Sequence, residues 1–253
     1  MSSFSRFIFV TDSHGDMCDW SVWKECLSFI KFWKPHLIVH GGDALDLRPY
    51  RKGAGKDEQM ERITEDMVAF RRLFEELQPH VWLEGNHDKR LRDGADSVSN
   101  ADRSELCRRY LGEVDDLMLK LKVRHRLPYH HSRGVFKEGN LRFLHGYRTG
   151  INCAKAHAES YGSCIFGHTH TYQRYTSAHL DDTVAISSPI IGKVDMPYLD
   201  AFTGALRHRQ GWTYGVIHNK TGKWEAWSTV FDPELGGYID PIKMIAPLLS
   251  KTL

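Results

Sequence analysis

Five short pieces of this 253-residue chain carry side chains suited to holding cations. They are Asp12-Ser13-His14, Gly41-Gly42-Asp43, Gly85-Asn86-His87-Asp88, His145-Gly146 and Gly167-His168-Thr169-His170. Carboxylates, an amide and imidazoles suit manganese, the first expectation here, with iron, zinc or nickel as alternatives; no thiolate joins them. Two such ions, about 3.5–4 Å apart, clamp a phosphoryl group and lower the pKa of a water between them. That arrangement needs one bridging carboxylate and mixed His, Asp and Asn ligands. The set therefore predicts metal-dependent hydrolysis of a phosphate ester, with a metal-bridging hydroxide as nucleophile.

Taken singly, each residue has a plainer reading. An Asp at a strand end is commonly a helix cap, and a His beside Gly is commonly a loop residue. His130, His131 and His157 compete with His145 for the fourth position. His145 is preferred because the apolar run 141–144 delivers it and Gly146 follows. His168 and His170, at alternate positions, share one face of an extended segment. Gly41, Gly42, Gly85 and Gly167 read as sharp turns that aim the next side chain. Asp16 and Asp88 read as supporting or turn residues.

The elements that must position these residues follow from periodicity. Residues 7–10, 37–39 and 81–83 read as buried strands, each running into one of the first three blocks. Between them, Trp20 to Trp33 and Asp57 to Leu77 carry apolar residues at helical spacing, and Pro35 and Pro79 follow their ends. A β-α-β-α-β order predicts parallel strands whose loops gather at the carboxyl ends. Residues 89–128 break this rhythm. Leu106, Tyr110, Val114, Leu117 and Leu121 form a helical stripe, read as an insert beside the active-site edge or as a helix packing on the sheet. Further on, strands are predicted at 141–144, 163–166, 172–176 and 184–188, with a helix at 154–161. A hairpin pairs 212–218 with 224–230, and an apolar patch at Ile242–Leu249 is read as a final docked helix. With no repeat or linker, a single domain over 1–253 is expected.

Composition narrows the class. A net charge of +2 is too small to argue for nucleic-acid binding. Cys18, Cys26, Cys107, Cys153 and Cys164 are scattered and odd in number, which argues against a disulfide framework or a thiolate zinc site. No secretory signal and no membrane-spanning run is evident. A cytoplasmic protein with no membrane partner is expected.

In order and spacing, Asp12-x-His14, Gly42-Asp43, Gly85-Asn86-His87-Asp88, His145 and Gly167-His168-x-His170 resemble the five signature blocks of the calcineurin-like metallophosphoesterase superfamily. The resemblance spans residues 12 to 170. It implies an α/β (α+β) fold in four layers, two packed mixed β-sheets flanked by α-helices, with a helical insert between the third and fourth motifs. It also implies a binuclear site: Asp12, His14 and His170 on one metal, Asn86, His145 and His168 on the other, and Asp43 bridging. His87 would stand near the leaving group as general acid or charge stabiliser, oriented by Asp46.

Reaction type follows from such a resemblance; substrate does not. Protein phosphatases of the superfamily carry Asp-Arg-Gly after the second block, where this chain reads Asp46-Leu47-Arg48, and their third block ends in Glu rather than Asp88. Arg48 remains a candidate phosphate contact. The basic run Arg124-His125-Arg126-Leu127-Pro128-Tyr129-His130-His131-Ser132-Arg133 offers Arg124, Arg126 and Arg133 to a nucleotide or nucleic acid if it faces the metals, and is otherwise a solvated loop. Arg207-His208-Arg209 is a shorter candidate. Two alternatives stand beside the phosphodiester or phosphomonoester hydrolase: a protein or small-molecule phosphatase of the same superfamily, and a catalytically silent interaction scaffold. A scaffold of this kind generally lacks some of the ligands, and none is missing here.

Overall fold

Phe7, Ile8, Phe9 and Val10 form an unbroken apolar run, the pattern of a strand covered on both faces. In the computed structural model they end β1 (Phe4–Val10) and are all buried. The structure describes residues 3–97, 100–178, 182–196, 207–232 and 237–239. The remaining strands are β2 (Leu37–His40), β3 (Val81–Leu83), β4 (His125–Leu127), β5 (Val135–Glu138), β6 (Leu141–Leu144), β7 (Cys164–Phe166), β8 (Gln173–Thr176), β9 (Val184–Ser187), β10 (Gly211–His218), β11 (Trp224–Asp232) and β12 (Gly237–Ile239). The helices are α1 (Trp20–Trp33), α2 (Lys56–Met60), α3 (Thr64–Leu77), α4 (Lys89–Ala95), α5 (Ala101–Lys120) and α6 (Cys153–Tyr161).

Two mixed sheets result. One has the order β12-β11-β10-β1-β2-β3-β4, with β1 to β4 parallel; the other runs β5-β6-β7-β9-β8, with β6, β7 and β9 parallel. Alternation along β1 sends Ile8 and Val10 toward the helices, and Phe7 and Phe9 toward the second sheet. Outside the first sheet, Trp23 and Phe29 of α1 and Phe70 and Phe74 of α3 complete a core with Trp82 and Tyr214. Between the sheets, Phe7 meets Phe143 edge to face at 5.3 Å. Beyond the second sheet, Ala154 and Ala158 of α6 cover Leu144 and Phe166. The order is helix, sheet, sheet, helix. All five cysteines are free and buried.

Two expectations are refined in detail. Of the two readings of 89–128, α5 takes the second, a helix packed on the sheet, within the crossover from β3 to β4. Cys107, Tyr110, Val114, Leu117 and Met118 of α5 are buried in the main core, because so broad an apolar stripe has to leave water. The helix expected from Asp57 to Leu77 breaks at residues 61–63, leaving Met60 82% exposed. There Glu61 turns to receive Arg48 Nε at 2.7 Å. The patch at Ile242–Leu249 lies outside the described residues.

Candidate metal centre

The carboxyl ends of β1, β2 and β3 bring Asp12, Asp43 and Asn86 to one edge. The ends of β6 and β7 bring His145, His168 and His170 to face them. Asp12 Oδ1 lies 3.4 Å from His170 Nε2 and 4.0 Å from His14 Nε2. Asp43 Oδ2 lies 3.2 Å from His145 Nε2, and Asn86 Oδ1 lies 3.1 Å from the same nitrogen. The His145 and His168 ring centroids are 5.2 Å apart. Three overlapping sets have ligand atoms within 4.8 Å of one another: Asp12, His14 and His170; His14, Asp43 and His87; Asp43, His145 and His168. All seven expected ligands thus meet in one cluster, with Asp43 common to two of the sets.

Backbone strain gathers at the same place. Asp12, His14, Asp43, His168 and His170 all have positive φ, between 48° and 71°, a region non-glycine residues seldom occupy. Such strain persists only where surrounding structure enforces it, and functional sites are where it collects. Among the block glycines, Gly42 (103°) and Gly146 (111°) have positive φ, as a turn requires. Gly85 serves close approach instead, since a Cβ there would overlap the Asp43 carboxylate.

The donor set fits divalent cations. His145 Nδ1 lies 2.9 Å from the Gly41 carbonyl, which can only accept, so Nδ1 carries the hydrogen. In the neutral ring, Nε2 then aims a lone pair at the Asp43 carboxylate. Likewise His14 Nδ1 donates to Asp46 Oδ1 at 3.0 Å, which leaves its Nε2 facing His170 Nε2 at 3.1 Å. Lone pairs opposed in this way require a cation or a proton between them. Burial pushes the Asp43 carboxyl up, but the charges of His145 and His87 outweigh it and hold the group well below its ordinary value. Burial pushes His145 down, but Asp43 raises it to about 9. Burial lowers His168 to about 4, with the charge of His145 adding to the effect. Divalent ions would take over the compensation that protons otherwise supply.

Around the cluster, each carboxylate is held by donors. His168 N–H donates to Asp12 Oδ2 at 3.0 Å and Thr11 Oγ1 donates to it at 2.6 Å, while His87 N–H donates to Asp43 Oδ1 at 2.8 Å. Asp46 Oδ1 accepts from both His14 Nδ1 (3.0 Å) and His87 Nδ1 (2.7 Å), so one oxygen orients an expected ligand and the expected acid together. His87 Nε2 is 3.9 Å from Asp43 Oδ2, and its side chain keeps 13% exposure. Distance alone admits His87 as a ligand. Its exposed edge and its link to Asp46 favour a role toward substrate.

Sequence reasoning missed Asp66. This buried residue accepts from the backbone N–H of Asp46 (3.1 Å) and Leu47 (2.7 Å), which pins the loop after Asp43. Burial, with Asp46 nearby, raises its carboxyl to about 8. The available signal was an acid four residues before Phe70, on the buried face of α3. Asp88 plays a similar part, accepting from Leu45 N–H at 2.9 Å and Gly85 N–H at 2.8 Å.

The candidate substrate contacts are placed unevenly. The Arg48 guanidinium is engaged by Asp16 at 2.7 Å, Asp46 at 3.0 Å and Glu61 at 2.7 Å, so it braces Asp46 rather than facing a ligand pocket. Arg126 pairs with Glu84 at 2.7 Å and with Asp115, and lies over the Trp82 ring. Arg124 stands at the amino end of β4, on the edge away from the cluster. Arg133 is exposed in a turn, where its N–H donates to His130 Nδ1 at 3.2 Å. From that run it is Tyr129 that reaches the centre, 5.7 Å from the His145 ring and stacked on Tyr147 at 4.8 Å. His208, from the shorter basic run, is buried 4.9 Å from the His170 ring. His157 is structural, donating to Cys153 O and accepting from Tyr147 N–H. His130 and His131 stack on each other.

Residues 5–172 match a family model described as calcineurin-like phosphoesterase. Among solved structures, the chain is similar to a metallophosphoesterase from Sphaerobacter thermophilus (15% identity, 89% of this chain and 88% of that one, TM-score 0.48). It is also similar to Yfce, a phosphoesterase from E. coli (14% identity, 88% and 98% covered, TM-score 0.39), and to Pseudomonas putida nuclease MPE (14% identity, 88% and 86% covered, TM-score 0.36). No curated protein matches the chain.

Proposed function

Since this chain belongs to the calcineurin-like phosphoesterase family, we propose that it is a binuclear metal-dependent hydrolase acting on a nucleotide or nucleic-acid phosphodiester. Asp12, His14 and His170 would hold one ion, Asn86, His145 and His168 the other, and Asp43 both. The observation that carries this reading is the place of Asp43 in two overlapping ligand sets, buried and held ionised by its neighbours. When bound, the ions supply Lewis acidity toward the phosphoryl oxygens and lower the pKa of water at the site; manganese is the first choice, with iron, zinc or nickel as alternatives.

The chain's own residues do the rest. Asp46 holds His87 through Nδ1, so Nε2 is the atom that passes a proton to the leaving oxygen. His87 N–H and the close approach of Gly85 keep Asp43 in one orientation. Arg48 braces Asp46 and has its donors spent on carboxylates, which argues against the phosphate-clamping arginine of a protein phosphatase. A silent scaffold would have no need for the strain at five ligand positions. The chain is read as one domain. Its five buried thiols suit a reducing cytoplasm, and among the described residues no helix is long and apolar enough to cross a membrane.

The Tyr129–Tyr147 stack beside His145 supports a base-bearing substrate. Base stacking is worth about 1–3 kcal/mol, so Tyr129→Leu should lower kcat/KM on a short single-stranded DNA by about tenfold. Hydrolysis of an alkyl phosphodiester should hardly change. A manganese-supplemented panel of bis-aryl phosphate, aryl monophosphate, single-stranded DNA and cyclic nucleotide tests the class directly. Turnover of the aryl monophosphate alone would move the assignment to a phosphatase.

A further inference from the structure

At the amino ends of β1 to β4, the edge opposite the metal centre, a cavity of about 540 Å³ opens beside β5 of the second sheet. Four successive strands each bring a nitrogen-bearing side chain to it: Arg6, His36, His80 and Arg124. Lys137 of β5 adds an ammonium, and among the described residues Glu138 is the single carboxylate in its lining.

Of the three imidazoles in the lining, His36 and His80 are preset as donors. Arg6 N–H donates to His36 Nδ1 and Ile38 N–H donates to His80 Nδ1, each at 3.0 Å. With Nδ1 accepting, a neutral ring must carry its hydrogen on Nε2. The plane of Arg6 is fixed as well, since Nε and Nη2 both donate to Lys34 O at 3.1 and 3.0 Å. Phe136, its ring 5.3 Å from that of His125, gives the cavity a flat apolar wall. Nothing in the catalytic reading uses these residues.

We propose that this cavity is a second ligand site, for a phosphorylated ring compound of nucleoside monophosphate size. The phosphate would lie on the row formed by His36, His80 and Arg124, and the ring against Phe136. The volume falls within the range of small-molecule pockets. A donor-only row facing a single carboxylate selects an anion, and the aromatic wall selects its flat end.

Calorimetric titration of the metal-loaded protein with adenosine 5′-monophosphate tests this against a His36→Ala/Lys137→Glu double variant, both positions being exposed. The expected result is at least about a tenfold loss of affinity in the variant, as removal of a charged hydrogen-bond partner implies. Its kcat/KM on bis(p-nitrophenyl) phosphate should stay within about twofold of the parent, because the site shares no residue with the metal centre. Adenosine and inorganic phosphate, each binding much more weakly than the monophosphate, would support recognition of both ends. Unchanged monophosphate affinity in the variant would overturn the proposal. So would binding of a single-stranded oligonucleotide with no binding of the monophosphate.

Discussion

Asp43→Asn should strip both cations from the protein together and lower turnover by about a thousandfold or more, the scale of several kcal/mol of lost transition-state stabilisation. Asp43 occurs in two of the three ligand sets, and its carboxylate stays ionised although it is only 1% exposed. Asn preserves shape and tolerates the positive φ of 48° at this position, so the backbone should persist. What it loses is a full negative charge and one acceptor oxygen. Metal content by plasma mass spectrometry, read beside circular dichroism, separates this from unfolding. Loss of a single equivalent would make Asp43 a terminal ligand of one ion.

His87→Ala should lower kcat by about 10²- to 10⁴-fold, the usual contribution of a positioned acid or base, with metal content nearly unchanged. The geometry leaves a real alternative, because His87 shares a ligand set with His14 and Asp43. Its Nε2 stands 3.9 Å from Asp43 Oδ2, and its side chain retains access to solvent, as a group meeting substrate needs. If the variant loses a metal equivalent, His87 is a ligand and another group supplies the proton. Full activity in the variant would remove His87 from the chemistry. Asp46→Asn offers a graded comparison, since that carboxylate orients His14 and His87 through one oxygen.

The clustering of the candidate ligands was legible because chemistry and topology coincide. Apolar runs of three or four residues end at Asp12, Asp43, Asn86, His145 and His168, and parallel strands present their carboxyl ends on one edge. What stayed hidden depended on side-chain direction. The strand β4 is three residues long, with one exposed and two half-buried positions, so it gave no periodic signal. Without it, the run from Arg124 to Arg133 stayed open between a loop facing the metals and a solvated one, when Arg124 lines the far edge and Arg126 is held by Glu84. Asp66 was hidden in the same way. Its role is to accept two backbone N–H groups from a loop twenty residues earlier, and no local pattern encodes that contact. Among the block glycines, turn and close approach look alike in sequence, and the backbone φ separates Gly42 and Gly146 from Gly85.

Anomalous diffraction at the manganese edge, from crystals grown with the ion in excess, tests the central claim most directly. Two peaks about 3.5–4 Å apart, with the Asp43 carboxylate between them, are predicted. A single peak, or none, with His145 and Asp12 turned away from each other, would contradict it.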